Sequence, residues 1–252
     1  MEVKNRFRQF GLVGKNISFS FSRKYFSAKF QQLQITHCDY TNFDLQQINE
    51  INKVFSIESL VGFNVTIPYK EQIIPFLDSM SSEALEIGAV NVVHITDEKK
   101  KIGYNTDGYG FEKSLMESME NLPEHALILG TGGASKAIEY VLKKNKISYT
   151  FVSRSPRKKN QILYQDLSHQ MFKQRLLIVN TTPLGTYPHV DTYPDIPYHY
   201  LNEKHLLYDL VYNPETTQFL KRGIEKGSQI IRGLKMLIYQ ADKAWEIWNT
   251  QP

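Results

Sequence analysis

The feature that most constrains the fold is an apolar run that enters a glycine-rich turn and continues into an amphipathic segment. Residues 126–129 are apolar and predict a short buried strand, and the turn begins at Gly130. After the turn, apolar residues recur at helical spacing: Ala134, Ala137, Ile138, Val141 and Leu142. A strand, a tight turn and a helix in this order predict a βαβ unit of a parallel sheet.

The glycine turn also predicts a binding site for an anion. Glycine has no Cβ, so the backbone can turn tightly and approach a ligand closely. The free N–H groups at the start of the helix and the helix dipole favour a negative group there. We therefore expect Gly130, Thr131, Gly132, Gly133 and Ala134 to hold the pyrophosphate of a dinucleotide. The alternative is a turn that requires glycine only for its geometry.

The end of the next predicted strand, at residues 149–153, indicates which dinucleotide binds. NAD enzymes usually carry an acidic residue at this position to hold the ribose 2′-hydroxyl. Here the chain reads Ser153-Arg154-Ser155-Pro156-Arg157-Lys158-Lys159, with four cations and no acid. A 2′-phosphate would be attracted to these charges, and Arg154 can offer it a planar donor fork. The turn favours NADP over NAD; the alternative is an exposed basic loop.

Composition restricts the class of protein. The chain has 252 residues, 41% apolar and 22% charged, which suits one large or two modest domains and argues against disorder. A net charge of +4 without a long basic block indicates small anionic ligands rather than nucleic acid. The single cysteine, Cys38, is consistent with a reducing cytoplasm. We expect no membrane span, no signal peptide and, from the scattered histidines, no metal site.

The first hundred residues alternate predicted strands with predicted helices. Strands are predicted at 10–13, 37–40, 60–67 and 87–94, and helices at 23–33, 45–54 and 69–77. In the first loop, Ser18, Ser20 and Ser22 alternate with aromatic residues, so an extended backbone would place the hydroxyls on one side. We interpret Ser22 as the N-cap of the following helix; the alternative is that the hydroxyls bind a carboxylate.

Several polar residues of this half are candidates for ligand binding. Asn64, Thr66 and Lys70 are predicted at the carboxyl end of a strand and the first turn of the next helix, where open α/β sheets bind ligands. A cation is unfavourable at a helix start, which argues against an ordinary solvated role for Lys70. Asn91 lies in an apolar run and is either a satisfied core residue or a ligand contact. Asp107, before a helix predicted at 111–119, is either an N-cap or an acid–base partner.

The second half continues with strands predicted at 176–180, 206–211 and 229–231, and with a last helix at 234–248. Thr181 follows the first of these strands, in a loop at the same carboxyl edge as the glycine turn. Gln240 flanks the buried face of the last helix and can point into a crevice. The hydrophobic pattern has a joint near residues 102–110, before the dinucleotide half.

Taken together, these stretches resemble the shikimate dehydrogenase family over nearly the whole chain. The matching motifs are Ser20-Phe21-Ser22, the stretch from Asn64 to Lys70, Gly88 to Asn91, Asn105 to Gly108, the glycine turn, Ser153-Arg154-Ser155, Tyr208 to Pro214, and Gly233-Leu234 with Gln240 after it. The departures are local: Asn16, Phe19 and Arg23 stand where the family commonly has Pro, His and Pro.

The resemblance implies a fold and a reaction. It implies two α/β domains that face each other across a cleft: a substrate domain at residues 1–101, with 234–252 packing back on it, and a Rossmann-like NADP domain at residues 102–233. The implied reaction is the reversible, NADPH-dependent reduction of 3-dehydroshikimate to shikimate in aromatic amino-acid (chorismate) biosynthesis. We expect a cytoplasmic monomer or homodimer. The alternatives are a quinate/shikimate dehydrogenase that uses both NAD and NADP, and a non-catalytic module that senses shikimate or NADP.

The resemblance also assigns roles to residues. Lys70 and Asp107 would be the catalytic pair, and Ser20 and Ser22 would bind the substrate carboxylate. The other implied substrate residues are Asn64, Thr66, Asn91, Tyr212 and Gln240, with Asp107 also holding a ring hydroxyl. The cofactor set would gain Thr181, Val211 and Gly233, in addition to the glycine turn and the basic turn.

Overall fold

The chain divides into two compact units. The computed structural model describes residues 6–18, 20–119 and 122–250, so Phe19 of the serine loop lies outside the described residues. The first unit comprises Met1–Thr106 and Ala241–Pro252, and the second comprises Asp107–Gln240. The domain bounds expected from sequence, after residues 101 and 233, remain a prediction.

The first unit is built on a mixed sheet. Its strands and helices are β1 (Arg8–Gly14), α1 (Phe21–Gln32), β2 (Cys38–Asp44), α2 (Ile51–Phe55), β3 (Leu60–Val65), β4 (Ser79–Met80), α3 (Ser82–Ile87), β5 (Val92–Ile95) and β6 (Lys101–Tyr104), with 3₁₀ turns at Ile48–Glu50 and Ile74–Phe76. The described strands pair in the order β2-β1-β3-β5-β6-β4. Strands β2, β1 and β3 are parallel, whereas β5 runs antiparallel to both of its neighbours.

Side-chain alternation along the strands buries both faces of this sheet. Phe10 and Leu12 of β1 face a cluster formed with Phe26 of α1, whereas Val13 faces the opposite cluster. The first cluster also contains Trp248, whose indole N–H donates to the Val93 carbonyl at 3.0 Å. The last part of the C-terminal helix therefore packs on the first unit, as expected from sequence.

The second unit is a parallel doubly wound sheet. Its elements are α4 (Asp107–Met116), β7 (His125–Leu129), α5 (Gly133–Lys144), β8 (Ser148–Val152), β9 (Gln161–Ile162), β10 (Leu176–Asn180), β11 (His205–Asp209), α6 (Gln218–Ile224), β12 (Gln229–Ile231) and the part of α7 (Leu234–Asn249) up to Gln240, with 3₁₀ turns at Tyr164–Asp166, His169–Phe172 and Tyr198–Tyr200. The described strands pair in parallel in the order β12-β11-β10-β7-β8-β9. The predicted two-domain α/β fold class and the βαβ unit are confirmed.

Of the helices predicted in the first unit, the one at residues 69–77 is wrong and the one at residues 45–54 begins late. Residues 69–77 form turns and the short 3₁₀ helix Ile74–Phe76. Pro75 has no N–H for a helical bond, and the Lys70 carbonyl accepts from the Val90 amide at 2.8 Å. Lys70 therefore lies in a turn and not at the start of a helix, so no helix dipole acts on its charge. The helix predicted at 45–54 starts only with the 3₁₀ turn Ile48–Glu50.

The strand predicted at residues 87–94 is also wrong in its first half. Ile87 ends α3, and Gly88 caps that helix in the left-handed conformation, with φ of 68°. Only glycine adopts this conformation readily. Strand β5 begins at Val92, so Asn91 lies immediately before the strand and not within it. Asp107 is the first residue of α4, which starts four residues earlier than predicted.

Among the residues that the structure describes, no helix is long and apolar enough to span a bilayer.

Candidate active site

The serine loop is organised by the amino end of α1. Ser20, and not Ser22 as predicted, is the N-cap: its hydroxyl accepts from the Ser22 amide at 3.3 Å. The turn before it is held by Asp44, whose carboxylate accepts from two backbone amides, those of Asn16 and Ile17, at 2.8 and 3.2 Å. Ser20 and Ser22 therefore sit together at a helix N-terminus, a position that favours an anionic group.

Two buried asparagines meet at the carboxyl end of β3. Asn64 lies in β3 and is 5% exposed, and its side-chain amide donates to the Asn91 carbonyl at 3.4 Å. The Asn91 side chain pairs with Thr106 twice: its Oδ1 accepts from the Thr106 amide at 2.7 Å, and its Nδ2 donates to the Thr106 hydroxyl at 3.0 Å. Asn91 is therefore a satisfied buried residue and still borders Asn64.

Thr66 and Lys70 belong to the turn that follows β3. The Thr66 amide donates to the Val13 carbonyl at 2.9 Å, so the turn starts beside the end of β1. The bond from the Val90 amide to the Lys70 carbonyl then brings the other end of the turn next to Asn91. The first unit thus gathers Asn64, Thr66, Lys70 and Asn91 around the end of β3.

The other predicted substrate residues belong to the second unit. Asp107, 5% exposed, starts α4, and Gln240 lies on α7. The two helices approach closely at Gly110, where a Cβ would lie 2.6 Å from the Met236 carbonyl oxygen and 3.1 Å from the Gln240 Cβ. Because residues three apart share a helix face, Asp107 and Gln240 lie on facing sides of these helices. Tyr212, half-buried, follows β11.

The glycine turn connects β7 to α5. Gly130 has φ of +105°, a conformation that disfavours any side chain, and its amide donates to the Val152 carbonyl at 2.9 Å. Gly132 is the N-cap of α5 and makes no side-chain cap bond. Apart from its chain neighbours, no atom of the described residues lies within 4 Å of the position where a Gly132 Cβ would stand. The exposed backbone from Thr131 to Gly132 and the first turn of α5 are therefore accessible to a ligand.

The basic turn follows β8, immediately beyond Val152. It is held by its own backbone: the Ser155 amide donates to the Ser153 hydroxyl at 3.2 Å, and the Arg157 amide donates to the Gln161 side chain at 2.7 Å. Its four cations are exposed: Arg154, Arg157, Lys158 and Lys159. Within the part of the chain that the structure describes, none of the four forms an ion pair.

A buried carboxylate ties together the loops that follow β10 and β11. Asp209 is fully buried; its Oδ1 accepts from Asn180 Nδ2 at 2.9 Å and from the Val211 amide at 3.0 Å, and its Oδ2 accepts from the Thr217 hydroxyl. Burial raises the pKa of Asp209 to about 6, and these three hydrogen bonds work against the rise. Asn180 in turn accepts from the Thr182 amide at 3.1 Å.

These contacts position the remaining cofactor candidates. The Thr181 hydroxyl donates to the Leu129 carbonyl at 2.7 Å, which holds it against the end of β7. Gly233 packs on the loop after β11, because a Cβ there would lie 2.6 Å from the Leu210 carbonyl oxygen. Sequence reasoning missed Asn180 and Asp209. Each of them is a polar residue at the last position of an apolar strand, and this pattern was visible in the sequence. In the sheet, Asn180 and Asp209 are register partners.

Comparison with known proteins identifies the family. Residues 12–93 match the model of the shikimate dehydrogenase substrate binding domain. A shikimate dehydrogenase (NADP(+)) of Clostridium beijerinckii is 38% identical, over 95% of this chain and 91% of the relative. One of Desulforamulus reducens is 35% identical, over 95% of this chain and 89% of the relative. The chain belongs to the shikimate dehydrogenase family.

Solved structures of the family agree in fold. The shikimate 5-dehydrogenase of Thermus thermophilus, determined with NADP(H) and shikimate, superposes with a TM-score of 0.85 at 28% identity, over 97% of this chain and 95% of that one. The family assignment made from sequence motifs is therefore confirmed. The matched substrate binding domain contains the serine loop and the end of β3, the two places where the first unit gathers its candidate residues.

Proposed function

We propose that this chain is an NADP-dependent shikimate dehydrogenase, which reversibly reduces 3-dehydroshikimate to shikimate in aromatic amino-acid (chorismate) biosynthesis. The observation that carries the proposal is the similarity, over nearly the whole chain, to relatives named shikimate dehydrogenase (NADP(+)). Lys70 and Asp107, the pair that the resemblance assigns to catalysis, are both present.

The residues present fit NADP. The open space beside Gly132 and the first turn of α5, which has no side-chain cap, suit a pyrophosphate. The same turn contains Thr131, Gly133 and Ala134. The other proposed cofactor residues follow the ends of neighbouring strands: Thr181, Val211 and Gly233. The exposed cations at Arg154 and Arg157, flanked by Ser153 and Ser155, suit a 2′-phosphate. When bound, NADPH supplies the hydride that reduces the ketone.

The proposed chemistry assigns different tasks to the polar residues. A ketone that accepts a hydride develops negative charge on its oxygen, and the Lys70 ammonium would stabilise that charge and donate the proton. Asp107 would be its catalytic partner and would bind a substrate hydroxyl. Ser20 and Ser22, at the amino end of α1, would bind the substrate carboxylate. The ring hydroxyls would be bound by Asn64, Thr66, Asn91, Tyr212 and Gln240.

A spectrophotometric assay with purified protein tests the proposal. We expect oxidation of shikimate with NADP, with a kcat/KM for NADP at least about tenfold above that for NAD, because the basic turn contains no acid for the ribose 2′-hydroxyl. Quinate serves as the competing substrate. Equal turnover of quinate with NAD would identify the dual-cofactor alternative. Calorimetric binding of shikimate without turnover would identify a sensing module, and either result would reject the proposal.

Two finer expectations belong to the same proposal: a cytoplasmic location, and a monomer or homodimer as the functional assembly. The single cysteine of the chain supports the first. Light scattering of the active protein measures the second.

A further inference from the structure

A buried tyrosine makes a hydrogen bond to one of the proposed substrate-binding residues of the first unit. Tyr40 of β2 is the register partner of Phe10 on β1, and Leu12 of β1 is the partner of Asn64 on β3. Because side chains alternate along a strand, all four residues lie on the same sheet face. The outer strands are separated by two strand spacings, about 10 Å. The Tyr40 side chain spans this distance, and its hydroxyl donates to Asn64 Oδ1 at 2.8 Å.

The position of the Tyr40 ring is held by aromatic packing. It stacks on Phe26 with ring centroids 4.5 Å apart and an interplanar angle of 10°. The Trp248 ring lies beside it, with a centroid separation of 6.5 Å. Tyr40 is 0% exposed, so its hydroxyl cannot exchange Asn64 for water. The bond to Asn64 is therefore a permanent part of the folded unit.

This bond and the bond from Asn64 to the Asn91 carbonyl together decide which end of the Asn64 amide is available to a ligand. An amide can be turned in two ways, and its hydrogen-bond partners select one. The Asn91 carbonyl can only accept, so the Asn64 nitrogen must face it, and Oδ1 must face Tyr40. One of the two N–H groups of Asn64 is directed to Asn91. The second N–H is the group that Asn64 can offer to a substrate hydroxyl.

Burial sets the protonation state of the Tyr40 hydroxyl. It raises the pKa of this group well above its usual value. Tyr40 consequently stays protonated throughout the working pH range and acts as a donor toward Asn64.

We propose that Tyr40 is a positioning residue for substrate binding, which fixes the Asn64 amide as a hydrogen-bond donor to a substrate hydroxyl. The inference rests on the proposed function. It assigns to Tyr40 no contact with the substrate and no part in proton transfer. Its effect is therefore on the affinity for shikimate and not on the cofactor.

The test is the Tyr40→Phe variant, which removes one oxygen and keeps the ring and its stacking on Phe26. We expect KM for shikimate to rise about tenfold, the effect of losing one buried hydrogen bond to a binding group, with KM for NADP unchanged. Tyr208→Phe is the matched control. Tyr208 is also fully buried, and its hydroxyl bonds a side chain of the second unit, Ser114, at 2.6 Å. This control should keep the wild-type KM for shikimate.

A double-mutant cycle separates positioning from loss of stability. In an Asn64→Ala background, Tyr40→Phe should change KM for shikimate by less than about twofold, because the residue through which it acts is gone. Thermal unfolding of each variant checks that it is folded. The inference would be overturned if Tyr40→Phe left KM for shikimate unchanged or changed it no more than Tyr208→Phe does. It would also be overturned if Tyr40→Phe still raised KM for shikimate tenfold in the Asn64→Ala background. Wild-type turnover of shikimate, measured first, tests the proposed function separately.

Discussion

Asp209 provides the most direct quantitative test of the second unit. Its carboxyl group is fully buried at the end of β11 and accepts hydrogen bonds from Asn180, Val211 and Thr217. The largest effect on it is burial, which raises its pKa from 3.8 to about 6. The folded protein therefore binds this proton more tightly than the unfolded chain does. As the pH rises from about 4 to about 6, the unfolded chain ionises first and the folded state loses stability.

The size of the effect follows from the pKa values. A pKa that rises from 3.8 to about 6 corresponds to about 3 kcal/mol, at 1.36 kcal/mol per pKa unit. The substitution Asp209→Asn removes the charge and keeps Oδ1 as the acceptor for Asn180 and Val211, while the new amide can donate to the Thr217 hydroxyl. Between pH 4.5 and 8, we expect the free energy of unfolding of the variant to increase by about 2 kcal/mol relative to wild type.

The assay is urea unfolding at a series of pH values, followed by far-UV circular dichroism. Tryptophan fluorescence is unsuitable, because Trp245 and Trp248 both belong to the first unit. Buried histidines with lowered pKa, such as His205, make the free energy of unfolding rise with pH up to about 6.5. Wild type and Asp209→Asn share these histidines, so their contribution cancels when the two free energies are subtracted. Asp191→Asn, at an exposed position of the same unit, is the control and should show no such trend. A difference that is flat with pH, or that favours wild type as the pH rises, would refute the reasoning.

Three further substitutions test the proposed site. Lys70→Ala should lower kcat by about 10²–10⁴, the usual contribution of a general acid, measured with saturating shikimate and NADP; an unchanged kcat would remove Lys70 from that role. Arg154→Ala should raise KM for NADP about tenfold and leave KM for NAD unchanged, whereas Arg175→Ala, before β10, should change neither. Gly132→Ala places alanine at an N-cap and should lower the melting temperature only slightly, since apart from its chain neighbours no described atom lies within 4 Å of the new methyl group. It should nevertheless raise KM for NADP about tenfold; an equal KM would place the pyrophosphate elsewhere.

Local patterns predicted the second unit better than the first. The run at residues 126–129 and the helical spacing after Ala134 correspond to β7 and α5, and the strand predicted at 176–180 has the bounds of β10. Parallel strands buried on both faces are continuous apolar runs, so they stand out in the sequence. In the mixed sheet of the first unit, the predicted helix at 69–77 failed at Pro75, and the predicted strand at 87–94 was divided by the left-handed cap at Gly88.

The sequence alone determined what depends on neighbours along the chain. The glycine turn, the cations of the basic turn and the motifs around Lys70 and Asp107 each occupy a few consecutive residues, so their chemistry can be recognised before any fold is known. Only the tertiary structure decided which buried groups support them. Tyr40 meets Asn64, and Asp209 meets Asn180, because strands far apart in the chain pair in one register. Such a register is set by the packing of the whole sheet, and no local pattern specifies it.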